Sequence, residues 1–594
     1  MSVAPRSWVI RPLTPEEVYT DRERPLAFFY KISLQAIGRR TRSTVLLGQR
    51  RMGKTEIFKR VVNRLFFEQE QYTDPSASVV PVFYSFSDRP TDEWSFALNY
   101  TVNFMRWYAA FRLRNPNVLD DEQVPAEHLG AFIRANLKET GHFIHSSTLY
   151  ESLLRKGVND PVRAALMLVR NTSDHDESTI AVFLDEFQNT RLPQYNFDIV
   201  GAFHETVESP TCPYFVTGSA MSILAQEILG RGALFGRFFS EPIKPLTQYW
   251  GAELALKAAA YYHAGLPEAM APVVADRCGG NPFYVTAVIQ QAALRGKPLA
   301  DETLLNAILA VDLSSGFIWG ELNDQVSRWI ARINEYGITK WVLYLSALEE
   351  GEQIEPKRIQ EELRARDGRD VSLETIRDTL IKLARGDLLE YSQLGNWFRK
   401  TEDPILLDFL RVWGRIVVEG EARDLVQTEV VRKYRALERR VADQLGYLAE
   451  VYMAQLLWNG QDRTLPGRWF HSAEDVVIPW RFIYIWHRTR LGAGAGMELD
   501  LEAAAGEAHW IGESKWRRER KADRAEVETL LRKAERVREK EGPLLPALRV
   551  WFFSYAGFTA EAEALMQEHG IFWSTADDLN ALLIHVGLRR LPEL

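Results

Sequence analysis

Four short apolar runs occur in the first 220 positions, each of strand length and each separated from the next by helical or mixed sequence. They are STVLLG (43–48), VVPVFYSFSD (79–88), IAVFLDEF (180–187) and CPYFVTGS (212–219). The helical pattern KTEIFKRVVNRLFFEQE follows the first run, and further helical segments fill roughly 92–170 before the polar break RNTSDHDEST. Strands that alternate with helices predict a parallel sheet with helices on both faces.

The pattern changes after residue 245. From 246 to 330 it is mostly helical, with one break at RCGGNPFYV (277–285). Residues 336–410 show three helical segments, a strand, a turn and a returning strand, and this order predicts a winged helix-turn-helix. The last unit, from about 441, contains GMELDLEAAAGEAHWIGESKWRRERK (496–521), in which two short strands flank a turn of small residues.

Composition and charge narrow the class of protein. The chain has 594 residues, 46% of them hydrophobic and 26% charged, a net charge of −8 and two cysteines, Cys212 and Cys278. This length exceeds a single hydrophobic core, two cysteines cannot build a disulfide framework, and no Cys/His spacing suits zinc. Because there is no apolar run of 18 residues and no signal-peptide layout at the N-terminus, we expect a cytoplasmic protein without a membrane span.

The segment GQRRMGKT fits the phosphate-loop pattern G-x-x-x-x-G-K-[ST] and lies between a buried strand and a helix, as that pattern requires. In such a loop, backbone N–H groups and the start of the helix cradle phosphates, the lysine reaches the β- and γ-phosphates, and the hydroxyl binds Mg²⁺. The predicted ATP-binding residues are Gly48, Gln49, Arg50, Arg51, Met52, Gly53, Lys54 and Thr55.

An acidic strand end completes this predicted site. The segment AVFLDEFQ places Asp185 and Glu186 directly after four apolar residues. Acids at a strand end are often only solvated caps, but beside a phosphate loop they suit two further roles. We predict that Asp185 joins Thr55 in the magnesium shell and that Glu186 polarises the water that attacks the γ-phosphate.

Five motifs occur in one order along the chain: GQRRMGKT, FLDEFQ, FVTGSAMSIL, GALFGRFFSEPIKPLT and GGNPFYV. Over about residues 18–410 the chain thereby resembles the archaeal-type P-loop ATPases, relatives of the AAA+ and STAND NTPases. The resemblance implies that Ser219 senses the γ-phosphate and that Arg237 is an arginine finger or sensor, with Arg231 as the alternative finger. It also implies that GGNP packs a helical lid near the nucleotide, and that subunits associate through the ATPase domain. The alternative for Arg237 is an ordinary surface arginine.

The strands within 496–521 carry charges in their middle. Side chains alternate with period two, so Glu498 and Asp500 share one face of the first strand, and Glu513 and Lys515 share one face of the second. If the strands pair about 4.8 Å apart, the carboxylates and the ammonium converge on one patch. Such a cluster costs free energy unless a ligand uses it, and a divalent cation is the usual ligand.

Asp500, followed after twelve residues by Glu513 and two positions later by Lys515, resembles the D…E-x-K pattern of the PD-(D/E)XK restriction-endonuclease-like superfamily, although the proline is absent. The resemblance implies that Asp500 and Glu513 bind Mg²⁺ and that Lys515 orients or deprotonates water. It further implies that Glu450, on the amphipathic helix LGYLAEVYMAQLL (445–457), assists. A β-hairpin with exposed polar faces is the alternative, but both strands are otherwise apolar.

Two basic regions are candidate DNA contacts. Residues 515–540 are rich in lysine and arginine, and the alternative there is a solvated helix face with i,i+4 ion pairs. For the predicted winged helix, DNA contact and packing against other domains are equal alternatives. Its candidate phosphate contacts are Arg377, Lys382, Arg399 and Lys400.

These patterns predict a multidomain α/β protein with a P-loop ATPase core (1–245), a helical lid (246–330), a winged helix-turn-helix with a connecting helix (331–420) and a restriction-endonuclease-like domain (421–594). We expect it to bind and hydrolyse ATP with Mg²⁺ and to couple this to Mg²⁺-dependent DNA cleavage, in defence or mobile-element processing. Two alternatives stay open, both with an inactive nuclease-like domain: an ATP-dependent DNA-binding protein and a STAND-type signalling switch.

Overall fold

The chain forms two compact units. The first comprises Met1–Leu246, Cys278–Gln291 and Val311–Gln427, and the second comprises Thr247–Arg277, Ala292–Ala310 and Thr428–Leu594. The computed structural model describes residues 8–69, 74, 77–89, 91–137, 141–191, 195, 197–218, 234, 236–333, 336–392, 397–435, 448–491, 497–506, 508–517, 519–542, 545 and 547–592. The predicted division into four domains stays a prediction.

The strands of the described residues are β1 (Thr44–Leu47), β2 (Val79–Ser85), β3 (Thr179–Asp185), β4 (Tyr214–Thr217), β5 (Phe239–Pro242), β6 (Gln353–Ile354), β7 (Glu390–Ser392), β8 (Trp397–Arg399), β9 (Thr464–Leu465), β10 (Val476–Val477), β11 (Phe482–Leu491), β12 (Met497–Ala505), β13 (Ala508–Lys515), β14 (Ala547–Ser554) and β15 (Phe572–Ser574).

The α-helices of the described residues are α1 (Glu23–Gln35), α2 (Lys54–Phe67), α3 (Glu93–Leu113), α4 (Ala126–Asn136), α5 (His145–Leu154), α6 (Pro161–His175), α7 (Ile199–Thr206), α8 (Gln248–Tyr262), α9 (Ala271–Arg277), α10 (Pro282–Leu294), α11 (Glu302–Ser315), α12 (Phe317–Ile333), α13 (Tyr336–Leu348), α14 (Pro356–Asp367), α15 (Leu373–Arg385), α16 (Pro404–Trp413), α17 (Arg423–Arg435), α18 (Leu448–Asn459), α19 (Arg524–Glu541), α20 (Ala560–Glu568) and α21 (Ala576–His585).

The first unit is built on a five-stranded parallel sheet in the order β2-β3-β4-β1-β5. Its central strands are continuous apolar runs: every residue of β1, β3 and β4 is buried, as expected for strands covered on both faces. Side chains of α2, α3 and α6, such as Phe58, Phe104 and Leu166, join the strands in one buried cluster. A parallel sheet of this kind is typical of a P-loop NTPase core, and the four strands predicted from the sequence are β1 to β4.

Two details differ from the prediction. The fifth strand, β5, was not predicted because it is a short, largely exposed edge strand of sequence FSEP and so lacks an apolar run. The first part of the predicted polar break (170–179) lies inside α6, which continues to His175, and the buried residues Thr172 and Ser173 extend the apolar face of that helix.

The first unit also contains α13, α14 and α15 together with a three-stranded antiparallel sheet in the order β6-β8-β7. Ser372 caps α15 by accepting a hydrogen bond from the Thr375 N–H, and the helix buries Ile376, Leu380 and Leu383 at the spacing of one helical face. The predicted helices and the two predicted strands are present, and their interpretation as a winged helix-turn-helix stays a prediction.

The second unit is built on a five-stranded sheet in the order β11-β12-β13-β14-β15. Strands β11, β12 and β13 are antiparallel neighbours, whereas β13, β14 and β15 run parallel. The sequence predicted β12, β13 and β14 but missed two strands. The mixture of aromatic, basic and polar residues in β11 lacks a strict alternation, and β15 is only three residues long. Restriction-endonuclease-like is the predicted class of this unit and stays a prediction.

Helices cover both faces of this second sheet. Trp510 packs in one cluster with residues of α18, and its neighbour Ile511 packs in another with residues of α19. Because successive side chains of a strand point to opposite faces, the two helices lie on opposite sides of the sheet. The prediction of an amphipathic α18 is wrong in one respect: nine of its twelve residues are buried, including Glu450, so the helix is enclosed on nearly all sides.

By length and composition alone, one stretch among the described residues, Glu302–Ala331, is long and apolar enough to cross a membrane. The sequence analysis did not predict it, because charged residues interrupt the stretch. The stretch consists of α11 and most of α12, which meet in a bend at Gly316. Of its most apolar window, 56% is buried in the structure. The core helix of a soluble protein passes the same test, so this is weak evidence for a membrane span.

Candidate nucleotide site and acidic cluster

The predicted phosphate loop connects the buried strand β1 to α2. A Cβ at Gly48 would lie 2.2 Å from Ile243 Cγ2 and 2.7 Å from the Ile243 carbonyl oxygen, so only glycine fits where the loop passes the end of β5. Gly53 has a φ of 85° immediately before α2, a left-handed conformation that favours glycine. These two glycines fold the loop around the helix start.

Lys54 lies inside this loop. Its Nζ donates hydrogen bonds to the carbonyl oxygens of Gly48, at 2.6 Å, and Gln49, at 2.7 Å. The side chain is 6% exposed, and burial lowers the pKa of the ammonium to about 8. The carboxylate of Asp387 opposes this shift most strongly among the charged neighbours. The loop therefore holds a desolvated cation at the position where the motif binds phosphate.

Asp185 lies at the end of β3, buried beside α2. Its pKa is raised to about 6, first by burial and then by the neighbouring charge of Glu186, while a hydrogen bond from Thr55 opposes the shift. Thr55 and Asp185, which the sequence assigned to one magnesium shell, are thus in contact. A desolvated carboxylate next to a hydroxyl is a donor set of hard oxygens, which fits Mg²⁺.

Glu186 follows Asp185 with a φ of 52°, a left-handed conformation that is uncommon outside glycine. Its backbone N–H donates to Asp185 Oδ1 at 2.9 Å, and its carboxylate accepts a hydrogen bond from the Gln188 amide. The turn separates the two acids, so that Asp185 stays with Thr55 while Glu186 is held by Gln188. The two carboxylates therefore have different neighbours, as the predicted roles in magnesium binding for Asp185 and water activation for Glu186 require.

A segment distant in sequence contacts the loop. Asn281, in the GGNP motif, donates from Nδ2 to the Arg50 carbonyl oxygen at 3.3 Å, and the Arg51 guanidinium lies 4.9 Å from the centre of the Phe283 ring. Arg51 also pairs with Glu321 at 2.8 Å. GGNP was singled out by resemblance, but the contacts of Asn281 and Glu321 with the loop depend on tertiary structure and carried no signal in the sequence.

Arg237 is not part of the loop's surroundings. It precedes Phe239, the first residue of β5, which pairs in parallel with Thr44 at the start of β1, whereas Gly48 follows the end of β1. Four residues of strand separate the two edges by about 13 Å. Arg237 Nη2 instead lies 3.2 Å from Glu208 Oε1 and donates to His204 Nε2.

At this opposite edge Arg237 lines a cavity of about 470 Å³ together with Arg39, Arg40 and Arg42. Four guanidinium groups around one opening suit an anionic group. Arg237 therefore lies at the edge of the sheet opposite the loop of its own chain, and its role as an arginine finger or sensor stays a prediction. The two other residues assigned by resemblance, Ser219 and Arg231, lie outside the described residues.

The charged residues of β12 and β13 do lie together in the second unit. Asp500 Oδ2 accepts a hydrogen bond from the Ser514 N–H at 2.7 Å, just beyond the last paired residues of the two strands. Glu513 Oε1 is 2.7 Å from Lys515 Nζ, and its Oε2 is 2.5 Å from Lys533 Nζ of α19. Lys533 was not predicted, because its contact depends on how α19 folds back.

Glu450 reaches the same cluster from α18. Its pKa is raised to about 8, first by burial and then by the negative charge of Asp500, while Arg488 on β11, with Nε 3.3 Å from Glu450 Oε2, opposes the shift. The pKa of Asp500 is raised as well, by burial and by Glu513. The predicted residues Glu450, Asp500, Glu513 and Lys515 thus form one acidic cluster.

Some contacts of this cluster favour binding of Mg²⁺ and others oppose it. Two desolvated carboxylates from adjacent strands are ligands that magnesium prefers, and a cation relieves their mutual repulsion. Against this, Glu513 is held by two lysines, and no group of three or more His, Cys, Asp or Glu side chains in the described part of the chain is arranged to hold a metal. Binding of Mg²⁺ at Glu513 would require this carboxylate to exchange a lysine for the metal.

Two of the four candidate phosphate contacts of the predicted winged helix are engaged within the chain. Arg399 pairs with Glu390 at 3.3 Å and with Glu402, and Lys400 Nζ donates to the Glu349 carbonyl oxygen at 2.8 Å. In the basic region 515–540, arginines pair with acids three or four positions away, as Arg524 does with Glu528 and Arg536 with Glu539. Such pairs are what the alternative of a solvated helix face predicts, whereas Lys515 and Lys533 of the same region contact Glu513.

No family model and no curated protein matches the chain. Solved structures similar to it include a Walker-type ATPase of Pyrococcus abyssi, with a TM-score of 0.43 and 16% identity over 68% of this chain and 99% of that chain. The ORC2 protein of Aeropyrum pernix, in ADPNP–ADP complexes, has a TM-score of 0.38 and 14% identity over 72% and 98%. The Aeropyrum pernix ORC1 protein in complex with DNA has a TM-score of 0.37 and 14% identity over 69% and 97%. Similarity this weak carries no conclusion about activity, so the function has to be inferred from the two sites themselves.

Proposed function

We propose that the first unit binds and hydrolyses ATP. The observation that carries this is the loop itself, with the buried ammonium of Lys54 inside it and Asp185 hydrogen-bonded to Thr55. On nucleotide binding, Lys54 exchanges the carbonyl oxygens of Gly48 and Gln49 for the β- and γ-phosphate oxygens. Thr55 and Asp185 would hold Mg²⁺, which when bound neutralises the charge that develops on the phosphates.

In this proposal Glu186 orients the attacking water and accepts its proton. A bond forms between the water oxygen and the γ-phosphorus, and the bond from that phosphorus to the β–γ bridging oxygen breaks. A second copy of the chain would supply Arg237 to the γ-phosphate, because the arginine precedes β5 at the edge of the sheet opposite the loop of its own chain. This makes ATP turnover dependent on self-association.

We further propose that the second unit cleaves DNA with Mg²⁺. The proximity of Glu450, Asp500, Glu513 and Lys515 carries this proposal. Asp500 and Glu513 would hold Mg²⁺, which when bound polarises the scissile phosphate. Lys515, released from Glu513, orients the attacking water and stabilises negative charge on the phosphate, and Glu450 assists through a water molecule.

The test is a cleavage assay on plasmid and on circular single-stranded DNA, with Mg²⁺ and ATP. The wild-type protein should cut, and Asp500→Ala and Lys515→Ala should each lose cutting while their ATP turnover stays at the wild-type level. Arg524→Ala, which removes an exposed ion pair of α19, is the matched control and should cut normally. Equal cutting by Asp500→Ala and wild type would mean that another protein or another site is responsible.

A second candidate function is an ATP-controlled switch whose nuclease-like unit is inactive, binding DNA or signalling through a protein partner. The double engagement of Glu513 by Lys515 and Lys533 favours it, because two cations already neutralise the carboxylate that would bind the metal. Absence of cutting on every form of DNA, together with normal ATP turnover, selects this alternative.

A further inference from the structure

Strand β11 forms one edge of the second sheet, because it pairs with β12 alone in the described part of the chain. Its segment, WRFIYIWHRTRL (480–491), contains three arginines, a histidine and no acid. Large apolar side chains on and beside this edge face solvent: Ile483 is 76% exposed and Trp486 is 54% exposed. An exposed edge that is both aromatic and basic requires an explanation.

Two aromatic rings of β11 stack on each other. Tyr484 and Trp486 are stacked, with ring centres 4.0 Å apart and planes inclined by 18°. The Tyr484 hydroxyl donates to Glu502 Oε1 at 3.3 Å, and Glu502, which is 3% exposed, lies 3.3 Å from Nε2 of the buried His509. The hydrogen bond to Glu502 holds the Tyr484 ring in place, and the Trp486 ring stacks on that tyrosine.

The stacked pair lies beside the acidic cluster. Trp486 pairs with Glu502 across the β11–β12 ladder, and Glu502 is two residues from Asp500, a distance of about 7 Å along the strand. Two positions after Trp486, Arg488 contacts Glu450. The aromatic pair is therefore close to the cluster along both β11 and β12.

We propose that this surface binds single-stranded DNA, with an unpaired base stacked on Trp486 and its phosphates near Arg488. Every base has a flat π-face, so stacking accepts any sequence, and a duplex hides those faces inside its own stack. The Arg488 side chain remains 47% exposed beside its ion pair with Glu450, and its guanidinium complements phosphates rather than an apolar protein. The proposal builds on the proposed cleavage, since it delivers an unpaired strand to the acidic cluster.

The experiment measures the affinity of the full-length protein for fluorescently labelled single-stranded oligodeoxythymidine and for an abasic strand of the same length. Chelator replaces Mg²⁺, so no DNA is cut and the result is independent of whether the nuclease is active. Trp486→Ala should weaken binding of the oligodeoxythymidine by about 5- to 150-fold and leave the abasic strand unchanged.

Trp486→Phe keeps a ring and should retain most of the affinity. Trp458→Ala, which removes another partly exposed tryptophan of the same unit, should bind both strands like wild type. Equal weakening for the abasic strand, equal binding by wild type and Trp486→Ala, or a loss that is the same for duplex DNA would each overturn the proposal. So would a wild-type dimer that Trp486→Ala dissociates without any change in DNA affinity, because the edge would then be an interface between copies.

Discussion

Three charged side chains, Lys54, Asp185 and Glu450, are buried where the proposed chemistry takes place. Burial shifts each toward its neutral form: the pKa of Lys54 falls to about 8, that of Asp185 rises to about 6, and that of Glu450 rises to about 8. A ligand of opposite charge replaces the lost hydration and restores the ionised form. Phosphate for the lysine and a divalent cation for the acids are such ligands.

Glu186→Gln tests the separation of roles between the two acids of the nucleotide site. The amide keeps the shape of the side chain but cannot accept a proton, so we expect ATP affinity near the wild-type value and turnover reduced by about 10²- to 10⁴-fold. Fluorescent-nucleotide titration and phosphate release measure the two quantities. Lys54→Ala is the contrasting variant, since it should lose binding itself, and unchanged turnover in Glu186→Gln would remove Glu186 from this role.

Glu450 predicts a pH dependence of stability. Its folded-state pKa of about 8 lies above the ordinary value of 4.5, so between those values the folded protein binds more protons than the unfolded chain. Stability from this group is therefore fully present below about pH 4.5 and is lost as pH rises through 8. The Glu450→Gln variant lacks this pH-dependent contribution to stability. Between pH 5 and pH 8.5 the melting temperature of the wild-type protein should therefore fall relative to that of the variant.

The pH experiment is controlled by repeating it with and without Mg²⁺. Thermal unfolding without metal isolates the buried acid, and added Mg²⁺ should then stabilise the wild-type protein more at pH 8.5 than at pH 5, because metal ligands must be deprotonated. Parallel pH profiles of wild type and Glu450→Gln would show that Glu450 titrates normally.

At the scale of elements, the shape of the phosphate loop depends on contact between the loop and β5. Gly48→Ala places a methyl group 2.2 Å from Ile243 Cγ2, so the loop must move. We expect a loss of about 1–3 kcal/mol in the free energy of unfolding of the first unit and a loss of ATP affinity. Gly320→Ala is the matched control: its Cβ meets nothing within 4 Å on α12, and alanine should stabilise that helix by about 0.5–1 kcal/mol.

Denaturant unfolding and nucleotide titration of both glycine variants decide this prediction. If Gly48→Ala binds ATP like wild type, the loop tolerates the methyl group and its geometry differs from the one described.

Buried elements could be predicted from the sequence because their signal is local. Strands β1 to β4 contain apolar runs, β12 and β13 flank a turn of small residues, and the phosphate loop has a fixed spacing. The edge strands β5 and β11 were missed, since an edge needs no apolar run. Contacts such as Asn281 with Arg50 and Lys533 with Glu513 join residues far apart in sequence, and a single sequence does not indicate such pairs. The stacked rings of Tyr484 and Trp486 were missed because the strand β11 itself was not predicted.

At the scale of the whole molecule, the position of Arg237 predicts complementation. A mixture of Lys54→Ala and Arg237→Ala proteins contains sites with an intact loop from one copy and an intact arginine from another. Each variant alone should lose ATP turnover, and the mixture should recover about a quarter of the wild-type rate. Steady-state ATP turnover at equal total protein measures this. A mixture as inactive as its components would exclude the arginine as a finger supplied by a neighbour.

We expect from the sequence that the two proposed activities are coupled, so that the nucleotide state of the first unit governs cutting by the second. The most direct test compares the DNA cleavage rates of Glu186→Gln, which should retain bound ATP, and Lys54→Ala, which should stay free of nucleotide, in the same Mg²⁺ buffer. We predict clearly different rates, and removal of ATP should bring Glu186→Gln to the rate of Lys54→Ala. Equal rates for the two variants, with and without ATP, would contradict the claim.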